Sequence, residues 1–156
     1  MNIHLIAVGQ RMPSWVEQGY QEFAKRLPSE CRLVLHEIPA PKRGKNVDID
    51  KLRRQEADKI NAMLPKGARL VALEVGGKPW STEQLSQRIG QWMGEGRDVA
   101  LLVGGPDGLE PGLSQRADEQ WSLSPLTLPH PLVRVILAEQ IYRAWSMLKG
   151  HPYHRG

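Results

Sequence analysis

Short β-rich apolar runs alternate with segments of helical periodicity about five times along this chain, and that rhythm restricts the fold more than any other feature. The runs cover residues 3–8, 33–38, 70–75, 99–103 and 121–124. Between them apolar side chains return at helical spacing: Val16, Tyr20, Phe23 and Leu27; then Ile49, Leu52, Ile60 and Leu64; then Leu85, Ile89 and Trp92. A short helix is expected after Pro111. A long one is expected from near Pro131, with Val133, Leu137, Ile141, Ala144 and Leu148 as its apolar stripe. Pro13, Asp48 and the pair Ser81 with Gln84 supply helix starts, while Pro28, Pro65, Gly67 and Gly150 supply stops. Gly76 and Gly77 are expected to break the third strand. The alternation predicts an α/β fold, a mainly parallel sheet with helices on both faces. Sheets of this kind bind ligands beyond the carboxyl ends of their strands. The loops after the third, fourth and fifth runs are therefore the informative ones.

A chain of 156 residues suits one domain, 1–156, with a modest core. It holds no apolar stretch long enough to span a membrane, and residues 1–10 read as a strand rather than a signal peptide. The single cysteine, Cys31, excludes an internal disulfide and a thiolate zinc cage. These features favour the cytoplasm. A formal net charge of +4 permits a polyanionic partner without requiring one.

Five motifs carry possible chemistry. In the run 102–108, Gly104, Gly105 and Gly108 follow an apolar strand, where glycine lets backbone approach a ligand closely. A plain strand-to-helix turn fits the same spacing. The run is neither a dinucleotide fingerprint nor a P-loop, which disfavours classical nucleotide binding. Residues 121–131 contain three prolines, Pro125, Pro129 and Pro131, with hydroxyls among apolar side chains. They suit either a rigid cradle for an adenine edge or a buried connector. Arg134 sits near the start of the last helix, where a cation opposes the dipole and hints at an anionic partner such as phosphate or a methionine carboxylate. Glu139 and Arg143, four apart, suit an ordinary pair on a solvated face. The ending His151, Pro152, Tyr153, His154 and Arg155 holds groups that move protons, stack on bases and pair with phosphate, although chain ends commonly fray. Lys42, Arg43 and Lys45, with Arg11, Lys25 and Arg26, suit a solvated loop or a phosphate-contacting rim. Cys31 has no patterned histidine partner, and His4 and His36 lie within strands as packing or edge residues.

Taken together, these motifs resemble the RlmH family of the SPOUT superfamily along essentially the whole chain. The resemblance is carried by the runs 38–46, 77–80, 102–108, 123–134, 142–146 and 151–155. It implies an α/β sheet with a C-terminal trefoil knot, a homodimer, and S-adenosylmethionine (SAM) as methyl donor without a metal. It also implies a substrate, the N3 nitrogen of a pseudouridine in large-subunit ribosomal RNA of assembled ribosomes. Carried over, the SAM contacts fall on Leu73, on Gly104 and Gly105, and on Leu123, Ser124, Pro125, Leu126, Thr127, Leu128 and Pro129. That nitrogen must lose its proton before it can attack, so a group titrating near neutrality is needed. His154 is the first candidate and His130 the second. Arg155 or Arg134 would steady charge on the ring oxygens, and Tyr153 would stack on or orient the base. In a dimer packed through the last helix, where Ile141, Trp145 and Leu148 either supply apolar surface or face their own sheet, one tail would reach the other subunit's pocket. The rival from another class is a non-enzymatic ribosome-binding or assembly factor.

Overall fold

Every residue of the strand Val99–Val103 is buried, which only a strand covered on both faces and paired on both edges achieves. It is the centre of the sheet. The computed structural model describes residues 1–155. Among them the order is β1 (Asn2–Val8), α1 (Ser14–Ala24), a 3-10 turn (Ser29–Cys31), β2 (Arg32–Ile38), α2 (Ile49–Met63), β3 (Arg69–Pro79), α3 (Thr82–Glu95), β4 (Val99–Val103), α4 (Pro111–Arg116), β5 (Glu119–Ser122), α5 (His130–Leu148) and a second 3-10 turn (Pro152–Arg155). The strands form one sheet in the order β2-β1-β4-β3-β5, and every pairing is parallel. The α/β expectation holds.

Alternation along the strands explains the layers. Ile3, Leu5 and Ala7 of β1, with Val99, Leu101 and Val103 of β4, face one cluster that also holds Tyr20, Ile89 and Ile141 from α1, α3 and α5. Ile6, Val8, Ala100 and Leu102 face the other, which holds Ile60 of α2 and Leu113 of α4. Each fully buried Leu or Ile contributes roughly 2 kcal/mol, so the two faces together dominate the stability. His4 faces the second side at the lower end of the sheet. Its Nδ1 lies 2.9 Å from Nε2 of His36 on β2, and its Nε2 lies 3.0 Å from Asp98 just before β4. Both histidines are therefore structural, as their strand positions suggest.

Local signals account for most helix ends. The Asp48 side chain accepts from the N–H of Lys51, and Ser81 and Gln84 form a reciprocal capping box on α3. Some boundaries move. α1 ends at Ala24, before Leu27, α5 begins at His130, and β5 lies two residues earlier than the run 121–124. The third strand differs most. Gly76 and Gly77 do not end it, because Leu73 and Lys78 both pair with Trp121 and residues 74–77 bulge out between them. Gly77 makes the return possible, since a Cβ there would sit 2.8 Å from the carbonyl of Gln120. No helix among the described residues is long and apolar enough to cross a membrane.

Candidate active site

A cavity of about 640 Å³ opens at the carboxyl ends of β3, β4 and β5. Three loops build it, each from a different strand. The first wall is the β3 bulge, where Leu73, Glu74 and Val75 line the space. The pairing slip at Trp121 pushes Glu74 and Val75 out of the sheet, and it makes this strand end a wall.

The second wall is the glycine loop after β4. The N–H of Gly108 donates to the carbonyl of Gly105 at 3.0 Å, closing a tight turn over Pro106 and Asp107. Gly104 must be glycine, because a Cβ there would lie 2.5 Å from the carbonyl carbon of Gly108. At Gly105 a Cβ would meet Val8 at 3.2 Å and the carboxylate of Glu56 at 3.3 Å. Glu56 is buried behind the loop. Burial, and then the nearby Asp107, raise its pKa. Asp107 is paired with Arg43, which ties the basic loop to the glycine loop.

The third wall is the loop into α5. Ser122 Oγ donates to the carbonyl of Ser124 at 3.1 Å, and Ser124 Oγ accepts from the N–H of Leu126 at 2.9 Å. These bonds, with the prolines, hold the loop in one shape. Leu123, Ser124, Leu126, Thr127, Leu128 and Pro129 line the cavity, followed by His130 and Val133 of α5. Pro125 is exposed and does not. Two buried polar atoms at this wall have no partner in the protein, Nε1 of Trp121 and Nδ1 of His130. Burial, then the charge of Arg134, lower the His130 pKa, so its imidazole is neutral at neutral pH.

The remaining candidates lie elsewhere. Arg134 does not line the cavity. It is 1% exposed, its Nη1 donates to Glu37 Oε2 at 2.6 Å and its Nη2 to the carbonyl of Gly9 at 2.8 Å. Within the chain, Glu37 supplies an anion beside it. Tyr153, His154 and Arg155 form the 3-10 turn Pro152–Arg155 against α5 and do not line their own chain's cavity. The Tyr153 ring packs on Tyr142, with centroids 4.7 Å apart, and meets Phe23 edge-on. Ile141 is fully buried in its own core, so it offers no surface to a second copy, while Leu148 is exposed. Lys25 and Arg26 pair with Glu22 on α1. Glu74 and Val75 went unnoticed in the sequence because nothing local marks residues 74–77 as an outward bulge.

Known proteins resemble this chain along nearly its whole length. A family model described as "Predicted SPOUT methyltransferase" covers residues 1–154. Proteins named ribosomal RNA large subunit methyltransferase H are similar along their full length. The one from Hahella chejuensis is 63% identical over 155 residues, 99% of each chain. The one from Thioalkalivibrio sulfidiphilus is 60% identical, over 99% of each chain. The one from Stutzerimonas stutzeri is 57% identical, over 99% of this chain and all of the relative.

Proposed function

Because the chain belongs to the SPOUT methyltransferase family, we propose that it transfers a methyl group from SAM to N3 of a pseudouridine in large-subunit ribosomal RNA, on assembled ribosomes in the cytoplasm. The observation that carries this reading is the cavity walled by the β3 bulge, the glycine loop and the proline loop. Its residues fit the donor. Leu73, Leu123 and Leu128 offer an apolar slot for a purine, and at Gly104 and Gly105 the wall is backbone rather than side chain. When bound, SAM supplies a sulfonium-activated methyl group. Everything else falls to the protein: holding the base in line, taking its N3 proton and steadying charge on its oxygens.

The neutral imidazole of His130 is one proton acceptor on the cavity wall. His154 and Arg155 are the stronger pair chemically, but they stand apart from their own cavity. We place them in the cavity of a second copy, in a homodimer whose C-terminal part carries the family's trefoil knot. Each active site then combines one chain's donor pocket with the other chain's tail. A basic, salt-sensitive contact with ribosomal RNA accompanies this arrangement.

Subunit mixing tests the reading. Gly105→Val places a branched side chain against Val8 and Glu56 and should abolish SAM binding measured by calorimetry. Truncation before His151 should leave SAM binding intact and abolish methylation of ribosomal particles. Mixed dimers of the two should regain activity, because one site of each joins an intact pocket to an intact tail. Inactive mixtures with demonstrated heterodimers would overturn the composite site. Absence of SAM binding in the wild type would overturn the enzymatic reading and favour a ribosome-binding factor.

A further inference from the structure

Glu139 has the sequence signature of an ordinary surface pair, and the structure gives it a larger task. An exposed pair four residues apart on a helix would contribute little to stability. Here the Glu139 carboxylate is only 20% exposed and both oxygens are occupied. Oε2 accepts from Arg143 Nε at 2.9 Å and Nη2 at 2.8 Å, and from the Tyr153 hydroxyl at 2.8 Å. Oε1 accepts from Gln140 Nε2 at 2.8 Å. Gln140 in turn accepts from the Thr82 hydroxyl at 2.8 Å, at the start of α3.

The tail therefore does not hang from α5 by its backbone alone. Gly150 turns the chain back at a φ of +66°, and the N–H of His151 donates to the carbonyl of Ser146 at 2.8 Å. Those bonds fix where the tail leaves the helix. Fixing its far part needs a contact beyond the turn, and Tyr153 makes it. Its hydroxyl reaches Glu139, and its ring lies 5.0 Å from the Arg143 guanidinium. The two catalytic candidates follow directly at 154 and 155.

We propose that Glu139 is the positioning residue of the tail: by holding Tyr153 and Arg143 together, it sets where His154 and Arg155 are presented to the substrate. The inference rests on the tail's role in catalysis proposed above. Glu139 itself touches neither SAM nor base. Its effect passes through geometry, and misplacement of a reacting group by about an ångström can cost a hundredfold in rate.

The test compares Glu139→Ala, Glu139→Gln, Tyr153→Phe and truncation before His151, all in the full dimer. Three quantities are read: SAM affinity by calorimetry, hydrogen exchange of the amides of His151, Tyr153, His154 and Arg155, and kcat and KM for methylating ribosomal particles. Glu139→Ala should speed tail exchange and lower kcat by about tenfold or more, with SAM affinity changed less than about twofold. Glu139→Gln keeps an oxygen for the Tyr153 hydroxyl and should fall between Ala and wild type. Tyr153→Phe removes only the hydroxyl and should also speed tail exchange. If truncation abolishes transfer while Glu139→Ala leaves kcat or tail exchange unchanged, Glu139 does not position the tail. If truncation leaves transfer intact, the tail's catalytic role fails and this proposal falls with it. Loss of SAM binding in Glu139→Ala would assign the residue to the pocket and overturn the proposal as well.

Discussion

Arg134 and Glu37, 97 residues apart in sequence, meet in an ion pair between a buried guanidinium and a partly exposed carboxylate, Nη1 2.6 Å from Oε2, and so tie α5 to β2. Arg134 also closes the end of β1 through the carbonyl of Gly9. Removing one partner strands the other. Glu37→Ala should lower unfolding free energy by about 2–4 kcal/mol, because a desolvated guanidinium then lacks its counter-charge. Arg134→Met combined with Glu37→Leu should cost less than Glu37→Ala alone. Urea titrations of the three variants decide it, and a wild-type midpoint for Glu37→Ala would contradict the need of the buried guanidinium for its partner.

The two glycines of the β3 bulge should respond oppositely to a methyl group. A Cβ on Gly76 meets nothing within 4 Å, whereas one on Gly77 sits 2.8 Å from Gln120 backbone atoms. Gly77→Ala should destabilise by about 1–3 kcal/mol and weaken SAM binding, because the bulge that carries Glu74 and Val75 must move. Gly76→Ala should leave both near wild type. Calorimetry and thermal melting read the contrast. Equal behaviour of the two variants would count against the bulge as a cavity wall.

Acid should weaken the fold through two imidazoles. Burial, and then the neighbouring His4 ring, lower the His36 pKa; burial, and then Arg134, lower that of His130. A histidine whose folded pKa lies below its unfolded value resists protonation in the native state. Its contribution is fully present above about pH 6.5 and is lost as pH falls from there toward the depressed folded value. Urea midpoints at pH 7.5 should therefore exceed those at pH 5.5. Asparagine at position 36 should flatten the dependence. A profile that is level across this window, or that rises toward acid, would refute the assignment.

Cys31 should be chemically silent in the native state. It is fully buried, and burial pushes its thiol up to about 11, far from the thiolate range at neutral pH. Alkylation by iodoacetamide should proceed only as fast as the protein opens. Cys31→Ser should retain methylation within about tenfold, since the proposed transfer needs no covalent intermediate. Rapid labelling of the folded protein, or a greater loss of activity in the properly folded variant, would point to a reactive thiol.

Periodicity made the layers of this fold legible, because alternating and helical spacings report burial residue by residue. Leu101 and Leu102 belong to opposite faces for that reason. The loops at the strand ends were legible too, and Leu73, Gly104, Gly105 and Leu123 all line the cavity. What stayed hidden depends on distant partners. Gly76 and Gly77 carry the local marks of a strand end, and only the edge of β5 lets β3 resume at Lys78. Arg134 shows the need for an anion, but its position does not reveal whether Glu37 or a ligand supplies it. The tail has the composition of a loose end, and it is ordered by Glu139 on the preceding helix and by Phe23 on α1.

The cavity's walls lie far apart in the chain, and this sets an order of events during synthesis. β3 and β4 are made early, yet β5 must dock beside β3, and α5 must pack against α1 and α3, before the space between them closes. Those pieces come last. Until α5 packs, the chain has a nearly complete sheet and no closed pocket. The cavity thus forms at a late step of folding, after the sheet that floors it.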